Sequence, residues 1–95
     1  MVLEIAEFTI RSGEEDQFTA AYRRAARLLR DSPGCLSTRM TRGIESPSRF
    51  VLLVEWEQLT DHTEGFRGSA SFRLWREELG PFFAEAPRME HTVDI

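Results

Sequence analysis

The stretch "RFVLLVEWE", residues 49–57, decides the architecture. Its core, Phe50 to Val54, is five apolar residues in a row, so neither side of an extended chain would be polar. Such a strand is covered on both faces, and it reads as central in its sheet. Upstream, "ESPS" (residues 45–48) is a turn signal, with Pro47 supplying a fixed backbone angle. Residues 35–44 mix polar and apolar side chains and read as a second strand. Two strands across a four-residue turn make a hairpin.

Working towards the N-terminus, residues 2–10 are rich in apolar and β-branched side chains and read as another strand. Val2, Ala6, Phe8 and Ile10 share one face; Leu3, Ile5, Glu7 and Thr9 share the other. Glu4 and Glu7 therefore fall on opposite faces. "SGEE" from Ser12 has the form of a capping box that opens a helix. Phe18, Ala21, Tyr22, Ala25, Leu28 and Leu29 form its apolar stripe, and "SPG" (residues 32–34) stops it.

Towards the C-terminus, Asp61 with Glu64 forms a second capping start, for a short helix over residues 61–66. Ser69 caps a further helix running to Leu79, with Phe72, Trp75 and Leu79 on one side. Gly80-Pro81 ends it. In the tail "RMEHTVDI", Met89, His91, Val93 and Ile95 alternate with polar neighbours, which predicts a strand with one buried face. The order is β-α-β-β-α-β, a ferredoxin-like α+β fold with one four-stranded antiparallel sheet and one domain over residues 1–95. Two helices cover only one face of such a sheet. A homodimer, sheet against sheet, is the expected cover for the other.

Charge narrows the partners. Twelve basic residues against sixteen acidic ones give a net charge of −4, which disfavours nucleic acid. Arg23, Arg24, Arg27 and Arg30 read as the polar side of a helix. Cys35 is the only cysteine, so neither an intrachain disulfide nor a zinc framework can be drawn. No apolar run approaches the roughly 20 residues of a membrane span, and the N-terminal segment lacks the pattern of a signal peptide. The expectation is a reduced, cytoplasmic protein without a membrane partner.

Between Val54 and Trp75 the chain concentrates both tryptophans, a histidine and two phenylalanines: Trp56, His62, Phe66, Phe72 and Trp75. The order of elements, the length, the segment "VEWEQLTDHTEGFRGSASF" and the tail "GPFFAEAPRMEHTVDI" together resemble the antibiotic biosynthesis monooxygenase family. Its pattern of a strand ending in Trp, an acidic turn, a His or aromatic residue, then Ser before Phe falls on Trp56, Glu57, His62, Phe66, Ser69 and Phe72. The resemblance covers essentially the whole chain and implies a dimeric α+β barrel, with a pocket between sheet and helices in each monomer. The family's haem-degrading branch uses an Asn, a Trp and a His at positions that fall here on Glu7, Phe66 and Trp75, and all three depart from it. In the cofactor-free, anthrone-oxidising branch, Trp56 matches the Trp and Arg39 is the candidate cation.

A cofactor-free oxygenase requires an apolar slot, a base, and donors that favour an anion. His62, which titrates near neutral pH, is the candidate catalytic base. Trp56, Phe66, Ser69, Phe72, Trp75, Glu7 and Arg39 are the candidate contacts for a small aromatic molecule. No metal, haem or flavin is expected, since neither a Cys/His cluster nor a Gly-rich phosphate loop is present. Plainer readings stand beside these: Trp56, Phe72 and Trp75 as core, His62 as a solvated helix residue, Ser69 as a cap, Cys35 as an inert strand residue, and His91 turned to core or dimer contact. A non-catalytic binding protein and a proton-transfer isomerase fit the same pocket.

Overall fold

Strand pairing follows the apolar runs. The structure, a computed structural model, describes residues Met1–Ile95. It comprises β1 (Val2–Thr9), α1 (Glu15–Arg30), β2 (Cys35–Arg42), β3 (Arg49–Trp56), a π-helical segment (Asp61–Phe66), α2 (Ala70–Leu79), a 3-10 turn (Gly80–Phe82) and β4 (Arg88–Thr92). The sheet order is β2-β3-β1-β4, antiparallel throughout. β3 is internal, as its unbroken apolar run predicts.

The pleat divides β1 and β3 cleanly. Ala6, Phe8 and Ile10 of β1 and its extension, with Phe50, Leu52, Val54 and Trp56 of β3, are buried towards the helices. α1 meets them with Phe18, Ala21, Ala25 and Leu29, and α2 with Trp75 and Leu79. The two helices lock edge-to-face through Tyr22 and Trp75, with ring centroids 6.1 Å apart at 84°. Burying each large apolar side chain is worth about 1.5–3 kcal/mol, so this face carries most of the fold's stabilisation.

On the opposite face, Leu3, Ile5, Val51 and Leu53 lie half-buried in adjacent registers. Polar residues surround them: Ser37 donates to Glu55 at 2.7 Å, and Arg49 contacts Glu7 at 3.2 Å. This apolar centre with a polar margin is open in the single chain.

Several local expectations are corrected. Ser12 is exposed and caps nothing; α1 begins after Glu14, and the Glu15 carboxylate instead accepts from Gly13 N–H and the Ser48 hydroxyl. Asp61 does not cap the segment it opens; its carboxylate closes the preceding turn by accepting from Gln58 N–H. That segment is a π-helix rather than an ordinary turn of α-helix. β2 ends at Arg42 and β4 at Thr92, and Val93 and Ile95 are exposed beyond the sheet. The Ser69 cap is as read: its hydroxyl accepts from Phe72 N–H. Gly34 adopts a φ of +85°, and a Cβ there would run into the Asp61 side chain, which packs the α1–β2 turn against the π-helical segment.

Candidate functional site

A cavity of about 880 Å³ opens between the sheet and α2. Phe8, Leu29, Leu52, Phe66, Phe72 and Trp75 form its apolar wall. Two titratable groups reach its inner end, Glu4 from β1 and His62 from the π-helical segment, each only 2% exposed.

Glu4 owes its position to register. It occupies the same face of β1 as Ala6 and Phe8, so the pleat drives a carboxyl into the core. Trp56 lies at the end of β3 and donates its indole N–H to Glu4 Oε1 at 2.8 Å. His62 Nε2 stands 3.4 Å from the same oxygen. On the other side of the imidazole, Nδ1 lies 2.8 Å from Nε2 of His91, the residue cross-strand from Glu4 on β4. The result is a line of close polar contacts, Trp56–Glu4–His62–His91, hydrogen-bonded at its two ends and joined in the middle by the longer 3.4 Å approach of His62 to Glu4.

The π-helical turn makes room for this line. Arg67 N–H bonds back to the His62 carbonyl, five residues earlier, which widens the turn. His62 and Phe66 both face inward, with rings 6.4 Å apart at 27°. The Trp56 ring stacks on His62 at 5.2 Å and 18°.

Electrostatics follow from burial. Loss of water pushes the Glu4 carboxyl up to about 7, against smaller lowering effects from the Trp56 N–H and the Arg67 charge. The same loss pushes His62 down to about 4, helped by His91 and Arg67. Below neutrality the Glu4–His62 contact is therefore one between neutral partners, not an ion pair, because burial penalises charge separation more than proximity rewards it. Burial, then the Glu4 charge, raise the Cys35 thiol, which keeps it protonated and unreactive.

Among the sequence-predicted residues, His62, Phe66, Phe72 and Trp75 line the cavity. Trp56 stands behind the wall, fully buried, and reaches the site through Glu4. Ser69 is turned away from this cavity and serves the α2 cap. Glu7 and Arg39 are corrections. Both project from the far face of the sheet, and Glu7 is held below the usual carboxylate range by its bond to Arg49. His62 is not solvated, and His91 faces the helix side rather than the open face.

Sequence reasoning missed Glu4, His91 and three arginines. Arg67, Arg73 and Arg76 also line the cavity, together with Glu77, and none of the three arginines has a carboxylate within ion-pair distance. Arg67 and Arg76 stand over the Phe72 ring, 5.9 and 5.7 Å from its centroid. No group of three or more His, Cys, Asp or Glu is placed to hold a metal ion. Glu4 and His91 meet opposite sides of the His62 ring, so the three do not converge on one point. No helix is long and apolar enough to cross a membrane.

A ferredoxin-like α+β domain with an aromatic-walled cavity between sheet and helices is thus established. The antibiotic biosynthesis monooxygenase family profile matches residues 1–78, and the chain belongs to that family. It is 39% identical to the uncharacterised protein YczJ of Bacillus subtilis over 95 residues, the full length of both chains. A crystal structure from Bordetella bronchiseptica, assigned by name to the antibiotic biosynthesis monooxygenases, superposes with a TM-score of 0.95 at 36% identity, covering 99% of this chain and 96% of that one. SnoaB of Streptomyces nogalater, a cofactor-independent oxygenase solved as a point mutant, shares the fold with a TM-score of 0.83 at 15% identity, covering 98% of this chain and 91% of that one.

Proposed function

We propose that the chain is a cofactor-independent monooxygenase that oxidises a small electron-rich aromatic compound, a phenol, anthrone or quinol, with dioxygen. The carrying observation is the buried Glu4 carboxyl at the end of an aromatic-walled cavity, poised at about 7 and held by Trp56 and His62. A base with that value works at neutral pH. His62 alone, pushed down to about 4, is the weaker base and acts as the partner that holds and exchanges the Glu4 proton.

The substrate supplies the electrons. Glu4 takes a proton from the phenol or from the acidic methylene, leaving an electron-rich anion. The anion passes one electron to dioxygen, and the radical and superoxide combine to form a C–O bond. Protonation of the outer oxygen gives a hydroperoxide. The remaining hydrogen on that carbon leaves as a proton, its electron pair forms the carbonyl, and the O–O bond breaks. The departing hydroxide takes the proton and leaves as water.

The arginine rim supports an acidic substituent on the substrate, since unpaired guanidiniums beside an apolar slot favour a carboxylate or phenolate. Replacing Arg73 and Arg76 together by alanine should weaken binding of a hydroxynaphthoate about tenfold and leave the matching naphthol unchanged, read by calorimetric titration. Equal weakening of both ligands would remove the charge-selection reading. Oxygen uptake with hydroquinones and anthrones tests the reaction itself; binding without uptake would favour an accessory binding protein, and proton exchange without uptake an isomerase.

The open face of the sheet supports a homodimer. Leu3, Ile5, Val51 and Leu53 form an apolar centre within a polar margin, the composition of an interface core. Light scattering at micromolar concentration should give twice the chain mass, with an interface of roughly 1,000 Å² or more. A stable monomer would contradict it.

A further inference from the structure

The line of polar contacts does not end at His62. From the cavity it continues to His91 on the edge strand β4, a half-buried residue that takes no part in the cavity wall. The geometry points to a proton relay, Glu4–His62–His91, that links the base in the cavity to solvent at the edge of the sheet. This rests on the reading of Glu4 as the base but not on the oxidation that follows.

Hydrogen-bond bookkeeping allows two arrangements. When Glu4 is a carboxylate, the Nε2 proton of His62 stands towards it across 3.4 Å, its Nδ1 is an acceptor, and His91 must donate from Nε2. When Glu4 is protonated, it donates to His62 Nε2, His62 donates from Nδ1, and His91 Nε2 accepts. A proton added at Nδ1 of His91 converts the first into the second. His91 passes its Nε2 proton to His62, His62 passes its own Nε2 proton to Glu4, and each imidazole ends neutral with its proton on Nδ1. The reverse delivers the Glu4 proton to solvent. One proton crosses, and nothing is oxidised or reduced.

The surroundings favour a neutral His62 ring in both arrangements. Arg67, at the end of the π-helical segment, opposes a positive charge on His62, and burial does so more strongly. From β2, the Cys35 thiol, held protonated, lies within reach of the Glu4 charge; from β3, the Trp56 N–H donates to Glu4. On β4, the charged neighbours Arg88 and Glu90 lie in register with Glu7 and Ile5, and so project from the other face of the sheet. The relay therefore has no competing charge partner on its own side except Arg67. His91 is a positioning residue here, because it acts on the reaction only through His62 and Glu4.

Nitrogen-15 NMR of the imidazoles tests this without a substrate. Over the interval in which Glu4 titrates, roughly pH 6 to pH 8, His62 should stay neutral and the two rings should exchange tautomers together. In Glu4→Gln, the coupled exchange should disappear. His91→Gln, which keeps a hydrogen-bonding side chain but conducts no proton, should leave the melting temperature near that of the parent and lower turnover about tenfold, with a changed pH profile. A His62 ring that holds one tautomer while Glu4 titrates would overturn the relay, as would an unchanged pH profile in His91→Gln. Because the NMR arm needs no activity, its failure is distinguishable from a failure to find oxygenation.

Discussion

Glu4→Gln should lower turnover by about a hundredfold or more while making the protein more stable at pH 8, both from the loss of one proton site. The two effects share a cause. Burial raises the Glu4 carboxyl from 4.5 to about 7, so the folded state binds a proton that the unfolded chain releases. Below the lower value both states are protonated, and the buried carboxyl carries no ionisation cost. As pH rises towards the higher value, the unfolded chain ionises first, and native stability falls. Above it the full penalty is present, about 3 kcal/mol from the difference between the two values. Glutamine keeps the shape and an acceptor for the Trp56 N–H but never ionises, so the variant's stability should not show this decline. Turnover runs the other way: it requires the carboxylate, so it should rise with pH through about 7 in the parent. His62 adds an opposite slope at lower pH. Its imidazole is pushed from 6.5 down to about 4, so acid favours the unfolded chain across that interval. Denaturant melts of parent and Glu4→Gln at several pH values check the first statement. Parallel stability curves for the two proteins would show that Glu4 ionises as an ordinary surface carboxylate.

Trp56→Ala should cost about 3–5 kcal/mol of stability, the usual loss for a large aromatic removed from a packed interior. Its side chain is fully buried, stacked on His62 at 5.2 Å and tilted against Phe66 at 6.1 Å. Each kcal/mol is worth about 4–8 °C for a domain of this size, so the melting temperature should fall by roughly twenty degrees. Trp56→Phe separates packing from chemistry. It keeps much of the apolar volume but removes the N–H whose hydrogen bond lowers the Glu4 carboxyl. The midpoint of the pH–activity curve should therefore move upward in Trp56→Phe. An unmoved midpoint would assign Trp56 to packing alone.

The fold was legible because its signals are short-range. Five consecutive apolar residues at Phe50 to Val54 placed β3 inside the sheet, and Ser69, Phe72, Trp75 and Leu79 placed a capped amphipathic α2 over it. Aromatic spacing also found His62, Phe66 and Trp75. Glu4 was half legible: it falls in the register of Ala6, Phe8 and Ile10, and a carboxyl on an apolar face is a signal in itself. Glu7 drew the site reading instead, and its face turns out to offer Arg49 as a partner. What the sequence does not carry is the pairing. The Glu4–His91 register depends on where a five-residue edge strand docks, and the Glu4–Trp56 bond depends on how two strands 52 residues apart align. The π-helical widening that turns His62 inward likewise has no simple residue code, since "DHTEG" reads equally as an ordinary capped turn.

The central claim is that a buried carboxyl drives oxygen chemistry on an electron-rich aromatic compound without a cofactor. The most direct measurement is dioxygen consumption by purified, chelator-treated protein with hydroquinones and anthrones, followed together with quinone formation. The account predicts one dioxygen consumed per quinone formed, half-maximal at a pH near 7, and lost in Glu4→Gln. Compounds that bind in the cavity and are returned unchanged, with no dioxygen consumed at any pH, would contradict it.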